Sequence, residues 1–130
     1  MNFARLVATA ALFVHAAAWA CGACVEDKVA ATYDHAVVQH AAALGQVVVF
    51  CDVQGRFDAQ RLHRAATRVR GIDAASVRTS SEPSALSFAL DAGQTPHAAI
   101  AALQRAVPAG TRLVVVREIG SPTPAAAARH

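Results

Sequence analysis

The chain has 130 residues, of which 55% are hydrophobic and 16% charged, with a formal net charge of +3 at pH 7. Aromatic residues make up only 5%, so alanine supplies much of the apolar content, and a compact domain with closely packed helices is expected. The small net charge, with arginines scattered among acidic residues, excludes the basic footprint of a nucleic-acid-binding protein.

The first 20 residues have the pattern of a secretory signal peptide. A single charge, Arg5, precedes an apolar stretch that ends in an A-x-A pattern at residues 18–20, as at a signal peptidase site. The apolar run is shorter than the roughly 20 residues that a membrane span needs. We expect cleavage after Ala20, a periplasmic or secreted mature chain, and no membrane span within it.

Cleavage after Ala20 makes Cys21 the first residue, which opens a second processing route. In a lipoprotein, Cys21 would be acylated, its thiol would be consumed and the protein would be held on a membrane. Residues 18–20 fit an ordinary signal peptidase site and match a lipobox poorly. The lipoprotein route is therefore the less favoured one.

The mature chain begins with a predicted helix and strand. Apolar residues three, four or seven positions apart predict one amphipathic helix over 22–44, which Gly45 ends. The β-branched run over 47–53 predicts a buried strand. Asp58 is the expected N-cap of a second helix, whose apolar face extends to Ile72.

The second half of the chain predicts a hairpin, a helix and a last strand. Residues 75–79 and the alternating segment 86–90 are predicted strands, joined by a turn at 80–84. Thr95 is a good N-cap, with Pro96 at the first helical position. A strand over 113–119 follows that helix.

From residue 47 onward the predicted order is strand, helix, strand, strand, helix, strand, which is the split β-α-β order of the ferredoxin-like fold. We predict an α+β protein, a ferredoxin-like βαββαβ sandwich preceded by an extra N-terminal amphipathic helix. The chain is divided into a signal peptide (1–20), an N-terminal helix with a Cys-x-x-Cys (21–45), the ferredoxin-like domain (46–120) and a flexible tail (121–130).

Residues 64–73, followed by Ser76-Val77-Arg78, resemble the helix end, turn and second strand of the heavy-metal-associated domain, and the alanine-rich 98–103 resembles its second helix. That family includes copper chaperones and the soluble domains of copper-transporting ATPases. The resemblance covers about residues 47–119 and implies a ferredoxin-like fold and copper handling. The family binds metal with a Cys-x-x-Cys in the loop after its first strand, whereas the matching window here, 54–61, has no cysteine.

The chain instead carries a Cys-x-x-Cys, Cys21 and Cys24, at the front of the added helix, and one further cysteine, Cys51. The odd count leaves two alternatives in an oxidising compartment: one disulfide with a free thiol, or three thiols kept reduced by a metal. Cysteines three apart at a helix start can point both sulfurs at one atom. Thiolates select Cu(I) and also suit zinc.

Cys51 is a predicted third ligand. If the first helix turns at Gly45 into the strand, the two elements run antiparallel, and the end of the strand returns to the start of the helix. Cys21, Cys24 and Cys51 would then form a three-sulfur site that holds Cu(I) or supplies three of the four ligands of zinc. The alternative is that Cys51 is an ordinary core residue.

The sequence therefore predicts an exported protein that binds a soft metal ion, with Cu(I) preferred and Zn second, and that carries or buffers it. Another metal-handling protein is a candidate partner. An enzyme is not expected. One alternative is a thiol-disulfide oxidoreductase that uses Cys21 and Cys24, although a thioredoxin has a strand directly before its motif. A second alternative is a non-catalytic protein-binding module whose cysteines are incidental. The histidines lack metal-ligand spacing.

Overall fold

The structure, a computed structural model, describes residues 25–120. The predicted signal peptide (1–20), Cys21, Cys24 and the predicted tail (121–130) lie outside the described residues. The elements are α1 (25–32), α2 (His35–Ala43), β1 (Val47–Gly55), α3 (Ala59–Thr67), a 3₁₀ turn (Ala74–Ser76), β2 (Arg78–Ser81), β3 (Ser84–Leu90), α4 (Pro96–Ala106) and β4 (Thr111–Ile119).

The four strands form one sheet in the order β2-β3-β1-β4, and every neighbouring pair is antiparallel. The segments β1-α3-β2 and β3-α4-β4 are the two halves of a split β-α-β arrangement. The predicted α+β class and ferredoxin-like fold are confirmed. None of the helices within residues 25–120 is long and apolar enough to cross a membrane.

The sheet is covered on both faces, and β1 contributes to both cores because successive side chains of a strand point to opposite faces. The α1/α2 core consists of Val29, Ala41, Val48, Phe50 and Ala89. The α3/α4 core consists of Val49, Cys51, Val53, Leu62, Ala66, Ile72, Val77, Leu86, Phe88, Leu90, Ala99, Leu103 and Leu113. The added N-terminal segment thus covers the face of the sheet that α3 and α4 leave open.

The predicted single helix over 22–44 is wrong: two helices, α1 and α2, meet at Tyr33 and Asp34. Asp34 has extended backbone angles, and its carboxylate accepts hydrogen bonds from the N–H groups of Ala36 and Val37. It is therefore the N-cap of α2. The Val37 N–H bond and then a bond from Arg78 lower the pKa of Asp34.

The predicted caps of the other two helices are confirmed. Asp58 accepts a hydrogen bond from the N–H of Arg61 at 3.0 Å. Thr95 accepts one from the N–H of Ala98 at 3.2 Å, and Pro96 is the first helical residue. Short polar side chains thus satisfy N–H groups that have no partner inside the helix.

The predicted hairpin is present as β2 and β3, but its first strand begins later than residue 75. Asp73 accepts a hydrogen bond from the N–H of Ala75 at 3.2 Å and caps the 3₁₀ turn at Ala74–Ser76. The chain therefore makes one tight turn before it becomes extended at Arg78.

We expect Gly55→Ala to destabilise the fold more than Gly93→Ala. Both glycines have a positive φ, +86° and +87°, which costs a residue with a Cβ roughly 1–2 kcal/mol. A Cβ on Gly55 would also collide with the carbonyl oxygen of Gly110, whereas a Cβ on Gly93 meets no heavy atom within 4 Å. The clash adds about 1–3 kcal/mol.

Urea denaturation of the two glycine variants and the wild type measures this difference, because the shared backbone cost cancels between the variants. Equal losses in the free energy of unfolding would show that the backbone can move Gly55 and Gly110 apart at no cost, and would contradict the close approach of these two residues.

Candidate functional site

Cys51 lies in the α3/α4 core and has no exposed surface. Burial, and after it the negative charge of Asp52, raise the pKa of the Cys51 thiol to about 12. A thiol with such a pKa is protonated at neutral pH, and the thiolate is the form that binds metals and attacks electrophiles. Cys51 therefore behaves as a small apolar core residue here.

The end of β1 does return to α1, as the sequence predicts, but it brings Asp52 there. The Nζ of Lys28 lies 2.8 Å from Oδ1 of Asp52 and donates to the carbonyl oxygen of Ser84 at 2.8 Å. Burial raises the pKa of Asp52, but hydrogen bonds from Lys28 and Gln54 outweigh it and leave that pKa below its usual value.

The predicted three-sulfur site requires the Cys51 side chain to face α1. Because strand residues alternate between faces, Asp52 on the α1 side leaves Cys51 on the α3/α4 side, with the sheet between it and α1. The structure thus places Cys51 apart from the element that follows Cys21 and Cys24. Those two cysteines lie outside the described residues, so the pair itself stays a prediction.

A second ion pair attaches the first described turn of α1 to β4. Glu26 holds the guanidinium of Arg117 through both carboxylate oxygens, one of them at 3.2 Å from Nη1. The hydrogen bond and the charge of Arg117 lower the pKa of Glu26. The negative charge of Glu26, which by itself opposes thiolate formation at Cys21 and Cys24, is therefore balanced.

The far end of α1 is also fastened to the sheet. The hydroxyl of Ser87 donates to the carbonyl oxygen of Thr32 at 3.1 Å. The ring of Tyr33 stacks on Phe50, with centroids 6.4 Å apart and an interplanar angle of 11°. Contacts at both ends thus fix α1 across the α1/α2 face of the sheet.

The histidines do not form a metal centre in the part of the chain that the structure describes. His35 and His40 are exposed, and the Nδ1 of His35 lies 3.4 Å from the Tyr33 hydroxyl. Within residues 25–120, no group of three or more His, Cys, Asp or Glu side chains is arranged to hold an ion.

Sequence reasoning missed four residues that position α1: Lys28, Asp52, Glu26 and Arg117. The partners of each ion pair are far apart in the chain, so no local spacing reveals them. The sequence offered two signals. Lys28 is the single lysine of the chain, and Asp52 is a charged residue inside a predicted apolar strand.

We expect the Cys51 thiol to resist modification in the folded protein. In the double variant Cys21→Ser/Cys24→Ser, Cys51 is the remaining cysteine, and a disulfide reagent such as Ellman's reagent reports on it alone. At pH 9 an ordinary thiol, with a pKa of 9.0, is half ionised, whereas Cys51 stays protonated and covered.

The reagent should therefore react with about one thiol per chain in denaturant and with almost none in buffer. Rapid reaction of the folded variant would mean that Cys51 is accessible and would restore it as a candidate ligand.

Comparison of the chain with protein-family models, with curated proteins and with solved structures found no match. The assignment of the ferredoxin-like fold therefore depends on the strand order and the placement of the helices in this structure. The resemblance of residues 64–73 and 98–103 to the heavy-metal-associated domain stays a prediction about function.

Proposed function

We propose that the exported protein binds a soft metal ion, Cu(I), through the thiolates of Cys21 and Cys24, and that it carries or buffers the ion. The observation that supports this most is the position of the Cys-x-x-Cys directly before α1, a helix tied to the sheet by its Glu26 and Lys28 ion pairs. Thiolates are soft metal ligands, and a helix held in place by ion pairs would limit the movement of a thiolate pair that precedes it.

The geometry of Cys51 favours Cu(I) over zinc in this proposal. Structural zinc sites take four protein ligands, and catalytic zinc sites take three. With Cys51 on the far face of the sheet, Cys21 and Cys24 are the two sulfurs that this chain offers near α1. Two soft ligands suit Cu(I), which selects thiolates without requiring four of them.

The proposed mechanism is ligand exchange. A thiolate of a partner protein forms a bond to the ion, the bond to one cysteine of this chain breaks, and a second exchange completes the transfer. The copper stays in the +1 state, so no oxidant or reductant takes part. An incoming partner must reach Cys21 and Cys24, and a protein exported and cleaved after Ala20 would present them at the start of the mature chain.

The experiment is an anaerobic titration of the reduced mature protein with Cu(I) in the presence of a competing chelator. We expect one Cu(I) per chain, held firmly enough to be withdrawn from the chelator. Failure to compete would contradict the proposal.

A parallel assay separates the two alternatives. If the protein fails to bind copper but reduces insulin or exchanges disulfides, the oxidoreductase function of Cys21 and Cys24 replaces the proposal. If neither activity is found, the protein is a binding module with incidental cysteines.

A further inference from the structure

A cleft of about 570 Å³ lies at the other side of the sheet, where β1 passes into α3 and α4 passes into β4. Its size falls within the range of small-molecule sites, roughly 300–1,000 Å³. It lies on the α3/α4 side of the sheet, opposite α1 and α2.

The floor of the cleft is apolar and well packed. Leu62 is 2% exposed and Thr111 1% exposed, and Phe57 and Val107 are half-buried. The hydroxyl of Thr111 donates to the carbonyl oxygen of Arg56 at 2.7 Å. The hydroxyl therefore already has a hydrogen-bond acceptor within the protein, and the surface that remains for a ligand is largely hydrocarbon.

The walls of the cleft are fixed before any ligand binds. Gly55 pairs with Thr111 across β1 and β4 and approaches Gly110 so closely that it has no room for a Cβ. The amide of Gln104 accepts from the N–H of Leu113 at 3.0 Å and donates to the carbonyl of Thr111. These contacts join the end of α4 to the start of β4, which is typical of a preformed site.

The rim of the cleft is basic. The exposed Arg56 and Arg61 line it, and within residues 25–120 neither has a carboxylate at ion-pair distance. The third charge at the rim, Asp58, accepts the N–H of Arg61 as the cap of α3. Two guanidinium groups against one carboxylate, beside a hydrocarbon floor, match a molecule with one anionic group and one apolar body.

We propose that this cleft binds a small carboxylate with an aromatic or branched apolar body. Arg56 and Arg61 hold the carboxylate at the rim, and the apolar body covers the half-buried Phe57 and Val107. This is a binding site separate from the metal site, and neither proposal depends on the other.

The test is a titration of the ¹⁵N-labelled mature protein with phenylbutyrate, followed by amide chemical shifts. We expect saturable shifts confined to residues 56–62 and 106–111. The neutral amide, phenylbutyramide, has the same apolar body without the charge, and it should bind at least roughly tenfold more weakly because it cannot form a bidentate ion pair with a guanidinium.

Two variants assign the effect to the rim. Arg56→Gln/Arg61→Gln should weaken phenylbutyrate binding by roughly tenfold or more, and its own spectrum reports whether it is folded. Arg68→Gln, an exposed arginine beyond the cleft at the end of α3, is the matched control and should leave binding unchanged.

Three outcomes would overturn the proposal: no saturable shifts, equal binding of the acid and the amide, or equal weakening by the rim and control variants.

Discussion

Replacing Phe50 by alanine is expected to lower the free energy of unfolding by about 3–5 kcal/mol. Phe50 is 1% exposed, lies at the centre of the α1/α2 core and stacks on Tyr33. Its loss removes that packing and leaves a cavity between the sheet and the added helices. A loss of this size is a large part of the roughly 5–15 kcal/mol by which a typical domain is stable.

Phe88→Ala is the matched control, because Phe88 is equally buried but belongs to the α3/α4 core. Both variants should show a similar loss in urea denaturation. Hydrogen exchange should separate them: Phe50→Ala should speed exchange most within α1 and α2, and Phe88→Ala most within α3 and α4. The same exchange pattern in both variants would contradict the division into two cores on opposite faces.

Replacing Cys21 or Cys24 by serine is expected to lower the affinity for Cu(I) by at least roughly a hundredfold. Losing a residue that only supports a metal ligand typically costs about 10–100-fold, and each of these substitutions removes a proposed ligand itself. Serine keeps the size of the side chain but replaces the soft sulfur with a hard oxygen. The measurement is the competition titration, repeated for each variant.

Cys51→Ala is the control for these variants, because it removes a thiol that the structure places in the α3/α4 core. Its affinity for Cu(I) should stay within about threefold of the wild type, a change of well under 1.4 kcal/mol. A loss as large as that of Cys24→Ser, in a variant that circular dichroism shows to be folded, would return Cys51 to the metal site.

Most of the fold follows from local signals. The structure has the predicted strand from Val47, extended to Gly55, and the predicted caps Asp58 and Thr95. The turn predicted at 80–84 is shorter than expected, because β2 ends at Ser81 and β3 begins at Ser84. Each of these features depends on a few neighbouring residues, such as a β-branched run or a short polar side chain before a helix. Local chemistry and the final packing agree at these positions, so the prediction succeeds.

The break between α1 and α2 was hidden by a competing pattern. Val29, Tyr33 and Val37 keep helical spacing across the break between α1 and α2, so the periodicity gives no sign of it. The stop comes from Asp34, which caps α2 and binds Arg78 on β2, with its Nε 3.1 Å from Oδ2. A contact between residues 44 positions apart is beyond any local pattern.

The orientation of Cys51 was undecidable from the sequence for a related reason. A strand with one covered face shows alternating polar and apolar residues, but β1 is apolar throughout Val47–Cys51 because helices cover both of its faces. Asp52 and Gln54 are polar, and the place of Asp52 beside Lys28 fixes the direction of Cys51. The sequence therefore nominates Cys21 and Cys24, which stay a prediction, but it could not show that Cys51 faces away from α1.

We propose that the thiolates of Cys21 and Cys24 hold Cu(I) without Cys51. X-ray absorption at the copper edge counts the sulfur atoms around Cu(I) in the loaded mature protein, prepared without added thiols. We expect two sulfur neighbours and the same spectrum for the wild type and Cys51→Ala. A third sulfur neighbour that is present in the wild type and absent from Cys51→Ala would contradict it.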